Sequence, residues 1–95
     1  MDVLFNVLFS DEAIEDYKSA YNWYEDKVHG LGSKFENSLD FTLTELGKHP
    51  FGFEQKYRGV RVAYIQRFPF GIHYLVEGNS VFVQSIFHTS RFPKN

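Results

Sequence analysis

The repeat of the apolar residues changes twice along this chain, and that change restricts the fold more than any single motif does. Val3, Phe5, Val7 and Phe9 alternate with Leu4, Asn6 and Leu8. That is the two-residue period of a strand with one fully apolar face and a second, partly apolar one. Ile14, Tyr17, Tyr21, Tyr24 and Val28 then recur every three or four residues, which predicts an amphipathic helix from about residue 11 to 28. Ser10 is a good N-cap for it, and Asp11 and Glu12 place negative charge where the helix dipole favours it. Gly30 and Gly32 around Leu31 supply a chain reversal. Phe35, Leu39, Thr42, Leu43 and Leu46 mark a second helix from about 33 to 47, ended by Gly47 and His49-Pro50. So short a link makes the two helices an antiparallel hairpin.

After a loop over 51–54, the period returns to two from about Lys56. Tyr57, Val60, Val62, Tyr64 and Ile65 predict one strand, and Phe68-Pro69-Phe70-Gly71 a turn. Ile72 to Glu77 is the next strand, Gly78-Asn79 a tight turn and Val81 to His88 the last strand. Thr89 to Asn95, with Pro93, reads as an irregular tail. The expected fold is α+β, in the order β-α-α-β-β-β. An antiparallel sheet carries the helical hairpin on one face, because each element has one apolar side to bury. The other face is left for function. At 95 residues, with neither linker nor repeat, the chain is expected to be one domain over 1–95.

Composition excludes several classes. The chain has no cysteine, hence neither disulfides nor thiolate metal sites. His29, His49, His73 and His88 lack ligand spacing, so no metal is expected. There is no glycine-rich phosphate loop, Ser85 and Ser90 lack the context of a nucleophile elbow, and no cofactor is expected. Met1 to Phe9 is too short for a signal peptide and lacks a basic start, and no run approaches the roughly 18–20 apolar residues of a membrane span. A cytoplasmic protein with no membrane partner is the expectation.

Net charge is −2 but uneven. Residues 1–48 hold ten acids against four lysines, while residues 49–95 hold Lys56, Arg58, Arg61, Arg67, Arg91 and Lys94 against Glu54 and Glu77. The second half could therefore present a surface to an anionic partner. Alternatively, the acids merely solubilise helices while arginines decorate strands.

Several stretches, in this order, resemble the RelE/ParE superfamily of toxins from type II toxin–antitoxin systems. They are Ser10-Asp11-Glu12-Ala13 after the first strand, Leu46-Gly47-Lys48-His49-Pro50 at the end of the second helix, and Arg58-Gly59-Val60-Arg61. Phe70-Gly71-Ile72-His73-Tyr74 and the closing Phe87-His88-Thr89-Ser90-Arg91 with Pro93 complete the set. The resemblance spans nearly the whole chain. It implies a bacterial two-gene module linked to growth inhibition and plasmid stabilisation, in which a cognate antitoxin wraps over the toxin. RelE-like members cut mRNA in the ribosomal A site without a metal; ParE-like members inhibit DNA gyrase and are not nucleases.

Metal-free RNA cleavage needs a base, cations around the crowded phosphorane and an acid for the leaving oxygen. On the RelE-like reading, Arg61, Arg67, His88 and Arg91 are the catalytic candidates. On the ParE-like reading, Lys56, Arg58, Arg61, Arg67 and Arg91 are candidates for binding target or antitoxin. Bland alternatives stand beside them: Arg61 and Arg91 paired with acids, His88 bonded to backbone, and Tyr64 and Tyr74 in the core. Trp23 falls off the apolar stripe of its helix, as an exposed contact or a rim residue. His73 stands where the family often carries arginine, which removes a cation. With pI near 6.0, the chain is poorly suited to a ribosomal RNA surface. The favoured expectation is a ParE-like binding protein, with the ribonuclease and a non-toxic, antitoxin-binding member as alternatives.

Overall fold

The structure, a computed structural model, describes residues 4–90. Val3, Arg91 and Pro93 lie outside the described residues. The elements are β1 (Asn6–Phe9), α1 (Asp11–Lys27), α2 (Leu31–Lys48), a 3-10 turn (Pro50–Gly52), β2 (Gln55–Tyr57), β3 (Val60–Tyr64), β4 (Phe70–Glu77) and β5 (Ser80–His88). The α+β architecture with a helical hairpin on one face of a sheet is as expected. Two details differ. The strand expected from Tyr57 to Ile65 is split into β2 and β3 by a tight turn at Arg58-Gly59. The sheet has order β1-β5-β4-β3-β2 and is mixed, because β1 pairs parallel with β5 while the other pairs are antiparallel.

Local chemistry explains the element ends. The Ser10 hydroxyl accepts from the Ala13 N–H at 3.0 Å, capping α1, and donates to the Gln84 carbonyl at 2.7 Å, tying the helix start to β5. At the hairpin, Gly30 turns the chain at φ 89°, and the Glu25 carboxylate accepts from the Gly30 and Gly32 N–H groups at 2.9 Å each. Those donors stabilise its charge and, with Gly30 first, lower its pKa from the usual carboxylate value. Gly32 serves differently from the expected reversal. It lies inside α2, where a Cβ would come within 2.9 Å of the Tyr21 carbonyl, so its role is close approach of the two helices.

The core lies between the hairpin and one sheet face. Phe35, Leu46, Ile72, Tyr74, Val81 and Val83 are its largest fully buried side chains. Tyr24 and Phe35 pack on Phe68 and Phe70, with Tyr24–Phe68 and Phe35–Phe70 centroids 4.9 and 5.2 Å apart. A register shift between β4 and β5 falls at His73/Tyr74, and nearby the Ile86 N–H donates to Asp16 of α1 at 2.9 Å. Ile14 and Val28, which the helical period assigned to the apolar stripe, are exposed at the two ends of α1. Among the described residues no helix is long and apolar enough to cross a membrane.

Candidate functional site

Alternation along the strands puts Phe70, Ile72 and Tyr74 of β4 against the helices and turns Gly71, His73 and Leu75 to the opposite side. Among the described residues no helix covers that opposite face. Cross-strand register arranges it in rows. Leu8, Phe82 and Leu75 form one apolar row, and Ser85, His73 and Val62 a second. Phe87, Gly71 and Tyr64 form the third.

These rows are packed, although they face outward. Phe87 and the Tyr64 ring meet over Gly71, where a Cβ would lie 2.8 Å from Phe87 and 3.3 Å from Tyr64. A side chain at position 71 would push the two rings off the sheet. The His73 imidazole stacks on Phe87 at 4.2 Å, and its Nδ1 lies 3.2 Å from the Ser85 hydroxyl. Burial, then the nearby Lys56 charge, lowers the His73 pKa, so near neutral pH the ring is uncharged and behaves as part of the aromatic surface. Tyr57 approaches His73 edge-on at 6.4 Å. The outcome is graded: Val62 is 2% exposed, whereas Tyr57 and Tyr64 are 55% and 50% exposed.

The candidate basic residues are spread around this face. Arg61 points to the helix side, where it is half-buried. Its guanidinium donates to the Phe53 carbonyl at 2.6 Å and the Phe51 carbonyl at 3.3 Å, and lies over the Phe51 ring at 5.3 Å. It holds the segment after α2, instead of pairing with Glu54 or Glu77. Tyr74, its neighbour across β4, donates to the Pro50 carbonyl at 2.6 Å. Burial lifts the Tyr74 pKa to about 12, so it stays a phenol and a donor. Tyr64 is exposed, contrary to the core placement open to it from sequence.

Lys56 and Arg58 lie at the β2–β3 end of the sheet, and Arg67 lies beyond the other end of β3. Five residues of strand, about 16 Å, separate those ends. Both Arg58 (φ 41°) and Arg67 (φ 72°) adopt left-handed backbone, which costs a non-glycine residue roughly 1–2 kcal/mol. Arg67 shares its end of the sheet with His88, since Thr89 donates from its backbone to the Pro69 carbonyl. His88 is half-buried, packs edge-on against Phe70 at 5.0 Å and accepts from the Ser90 N–H at 3.2 Å. Arg91 lies outside the described residues. The structure therefore brings Arg67 and His88 to one end and Lys56 and Arg58 to the other, with Arg61 turned away from both. Residue types and their order did not announce the outward aromatic set. Alternation marked Val62 and Tyr64, but the overlay at Gly71 depends on register. Trp23 is exposed, with Lys27 Nζ 4.9 Å from its ring centroid. Among the described residues, no group of three or more His, Cys, Asp or Glu is placed to hold a metal.

A family model described as the ParE toxin of the type II toxin-antitoxin system parDE matches residues 7–93. The chain belongs to the ParE toxin family. No curated protein matches it. Among solved structures, the chromosomal ParDE toxin–antitoxin system from P. aeruginosa has a similar fold, with TM-score 0.80 at 18% identity over 92% of this chain and 98% of that one. The toxin–antitoxin complex RelBE2 from Mycobacterium tuberculosis has a TM-score of 0.62 at 18% identity, over 93% of this chain and 97% of that one. At such identity both likenesses speak for the fold alone. The fold of this ParE family chain is thus RelE/ParE-like.

Proposed function

We propose that this chain is the toxin of a type II module, that it acts by binding a protein target such as DNA gyrase, and that a cognate antitoxin neutralises it. Membership of the ParE family supports the module, and both structural relatives are described as toxin–antitoxin assemblies, which supports an antitoxin partner.

The dispersal of the candidate cations carries the choice of target. A metal-free nuclease must gather a base, an acid and phosphate-binding cations within a few ångströms of one phosphate. Here Arg61, one of the catalytic candidates, is occupied by the carbonyls of Phe51 and Phe53 on the helix side, away from the end of the sheet that Arg67 and His88 share. The outward sheet face instead offers exposed aromatics on a rigid base, bordered by Lys56 and Arg58. Tyrosines of this kind, part buried and part available, are typical anchors of protein interfaces. Recognition of a protein also makes no demand for high positive charge, in keeping with a net charge of −2.

The test runs the purified chain in two assays. Inhibition of gyrase supercoiling is expected, with at least a tenfold loss of potency in Tyr64→Ala. Cleavage of mRNA at the A-site codon in a translation extract would replace this reading with the ribonuclease one. Expression without antitoxin is expected to arrest growth; unimpaired growth would leave only a non-toxic, antitoxin-binding member.

A further inference from the structure

The sheet carries two register breaks, and both fall beside basic side chains of the open face. On β2 the pairing slips between Gln55 and Tyr57, which makes Lys56 the extra residue of a bulge. Between β4 and β5 it slips at His73/Tyr74, which makes Gln84 the extra residue, next to Ser85. Bulges re-aim side chains and are over-represented beside functional sites. Here they bracket His73. Ser85 lies opposite it on β5, and Tyr57 of β2 meets its ring edge-on at 6.4 Å. The Lys56 charge is felt at the same ring.

The imidazole is held by one nitrogen. Nδ1 lies 3.2 Å from the Ser85 hydroxyl, and the ring stacks on Phe87 at 4.2 Å. Among the described residues no group bonds to Nε2, and no buried side-chain nitrogen lacks a partner, so Nε2 meets solvent. A hydroxyl both donates and accepts, so Ser85 can hold the ring neutral or protonated. Lys56 and Arg58 are exposed and form no ion pair among the described residues, with Glu54 and Glu77 included. The other titratable groups on this side are the Tyr57 and Tyr64 phenols and Glu77. Glu77 is four residues along β4 from His73, or about 13 Å. The charge acting on His73 is therefore positive, with no acid to answer it.

We infer that Lys56 and His73 form a carboxylate-binding subsite on the open face, where an acidic side chain of the target sits between the Lys56 ammonium and His73 Nε2 while its apolar neighbours lie on Tyr57, Tyr64 and Phe87. The inference rests on the reading of this face as the target surface and goes beyond it by naming the chemistry of the docking segment. Three observations select an acid: two unpaired bases at one margin, an open imidazole nitrogen beside them, and two bulges that re-aim both groups. Binding then takes up a proton. The neutral imidazole accepts one from solvent, donates Nδ1–H to Ser85 and donates Nε2–H to the carboxylate. Burial and Lys56 lower the pKa of the free ring, and the carboxylate raises that of the bound ring. The added affinity is therefore complete below the free value and is lost as pH rises through the bound one.

Random twelve-residue peptides displayed on phage, selected on the full chain and depleted on its Tyr57→Ala/Tyr64→Ala variant, test this. Winners are expected to carry Glu or Asp beside apolar residues. Exchanging that acid for Gln or Asn should weaken binding at least tenfold. Lys56→Glu, at an exposed position, should do the same and should favour versions with Lys in place of the acid. Binding should be about fivefold tighter at pH 6 than at pH 8, a window above the peptide's own carboxylate range. His73→Phe keeps a ring on Phe87 and should flatten that profile to within about twofold; if it fails to fold, His73→Gln should flatten it equally. Winners without an acid, no winner specific to this face, binding indifferent to Lys56→Glu, or a pH profile flat in the unaltered chain or unchanged by the His73 variants would each overturn the inference. The gyrase assay on the unaltered chain is read separately, so either reading can fail without the other.

Discussion

The two faces of the sheet are built from the same residue types and are used differently. On the covered face Phe35, Ile72, Tyr74, Val81 and Val83 are enclosed by α1 and α2. On the open face Tyr57, Tyr64, His73, Leu75, Phe82 and Phe87 pack on one another and meet solvent on their outer side. A chain under 100 residues has area enough to bury only part of its apolar surface. The difference teaches that the aromatic excess of this protein is divided: one set holds the fold, and the other forms a surface that needs no helix to be ordered.

The widest separation between the faces is expected from aromatic truncations. Phe35→Ala should cost about 3–5 kcal/mol, read from the shift of the urea midpoint, because it empties the centre of the aromatic cluster. Tyr64→Ala on the open face should move stability by less than about 1 kcal/mol while weakening target inhibition. Equal loss of stability in both variants would break the distinction. Gly71→Ala lies between them. Its methyl group would displace Phe87 and Tyr64, for about 1–3 kcal/mol of overpacking and a loss of near-ultraviolet circular dichroism from the open face.

The arginines sharpen the comparison at lower amplitude. Arg61→Ala should destabilise by about 1–3 kcal/mol, since it leaves the Phe51 and Phe53 carbonyls without their donor. Arg58→Gly should stabilise by about 0.5–1 kcal/mol by relieving a positive φ, and reduce target binding at the open face if Arg58 takes part. Opposite signs in urea unfolding would show one arginine belonging to the fold and the other to the surface.

The smallest effect is electrostatic and sits far from both faces. Glu25 has its folded pKa lowered, first by the Gly30 N–H. Its contribution to stability is therefore present above the unfolded carboxylate range and is lost as pH falls through the lower folded value. Glu25→Gln should flatten that part of the stability profile below about pH 4.5. Asp40 is shifted the other way, so its cost to the fold is relieved as pH falls through its raised value.

Much of this was legible in the residues. The change of period located both helices and the β3–β4–β5 meander, because burial of one side repeats with the backbone. Ser10 announced the start of α1 through its capping chemistry. Arg58-Gly59, read as part of a longer strand, is a hairpin turn, and the arginine hid it because its left-handed φ is unusual for a residue with a side chain. Ile14 fits the helical stripe, yet near the start of α1 it is left exposed. The candidate basic residues were identifiable by charge alone, and charge carries no information about direction.

By itself the sequence determined the class of fold, the placement of the helical hairpin against a sheet and the resemblance that family membership now supports. Those depend on local periodicity and on short segments in order. Only the tertiary structure decided that Arg61 faces the loop carbonyls, that Lys56 and Arg58 stand apart from Arg67 and His88, and that Phe87 and Tyr64 share the space over Gly71. It also decided that β1, the first strand in the chain, lies at the margin of the sheet and parallel to β5. The physical reason is register: a shift of one residue between strands reverses which side a chain faces, and that choice is made by packing across the whole sheet.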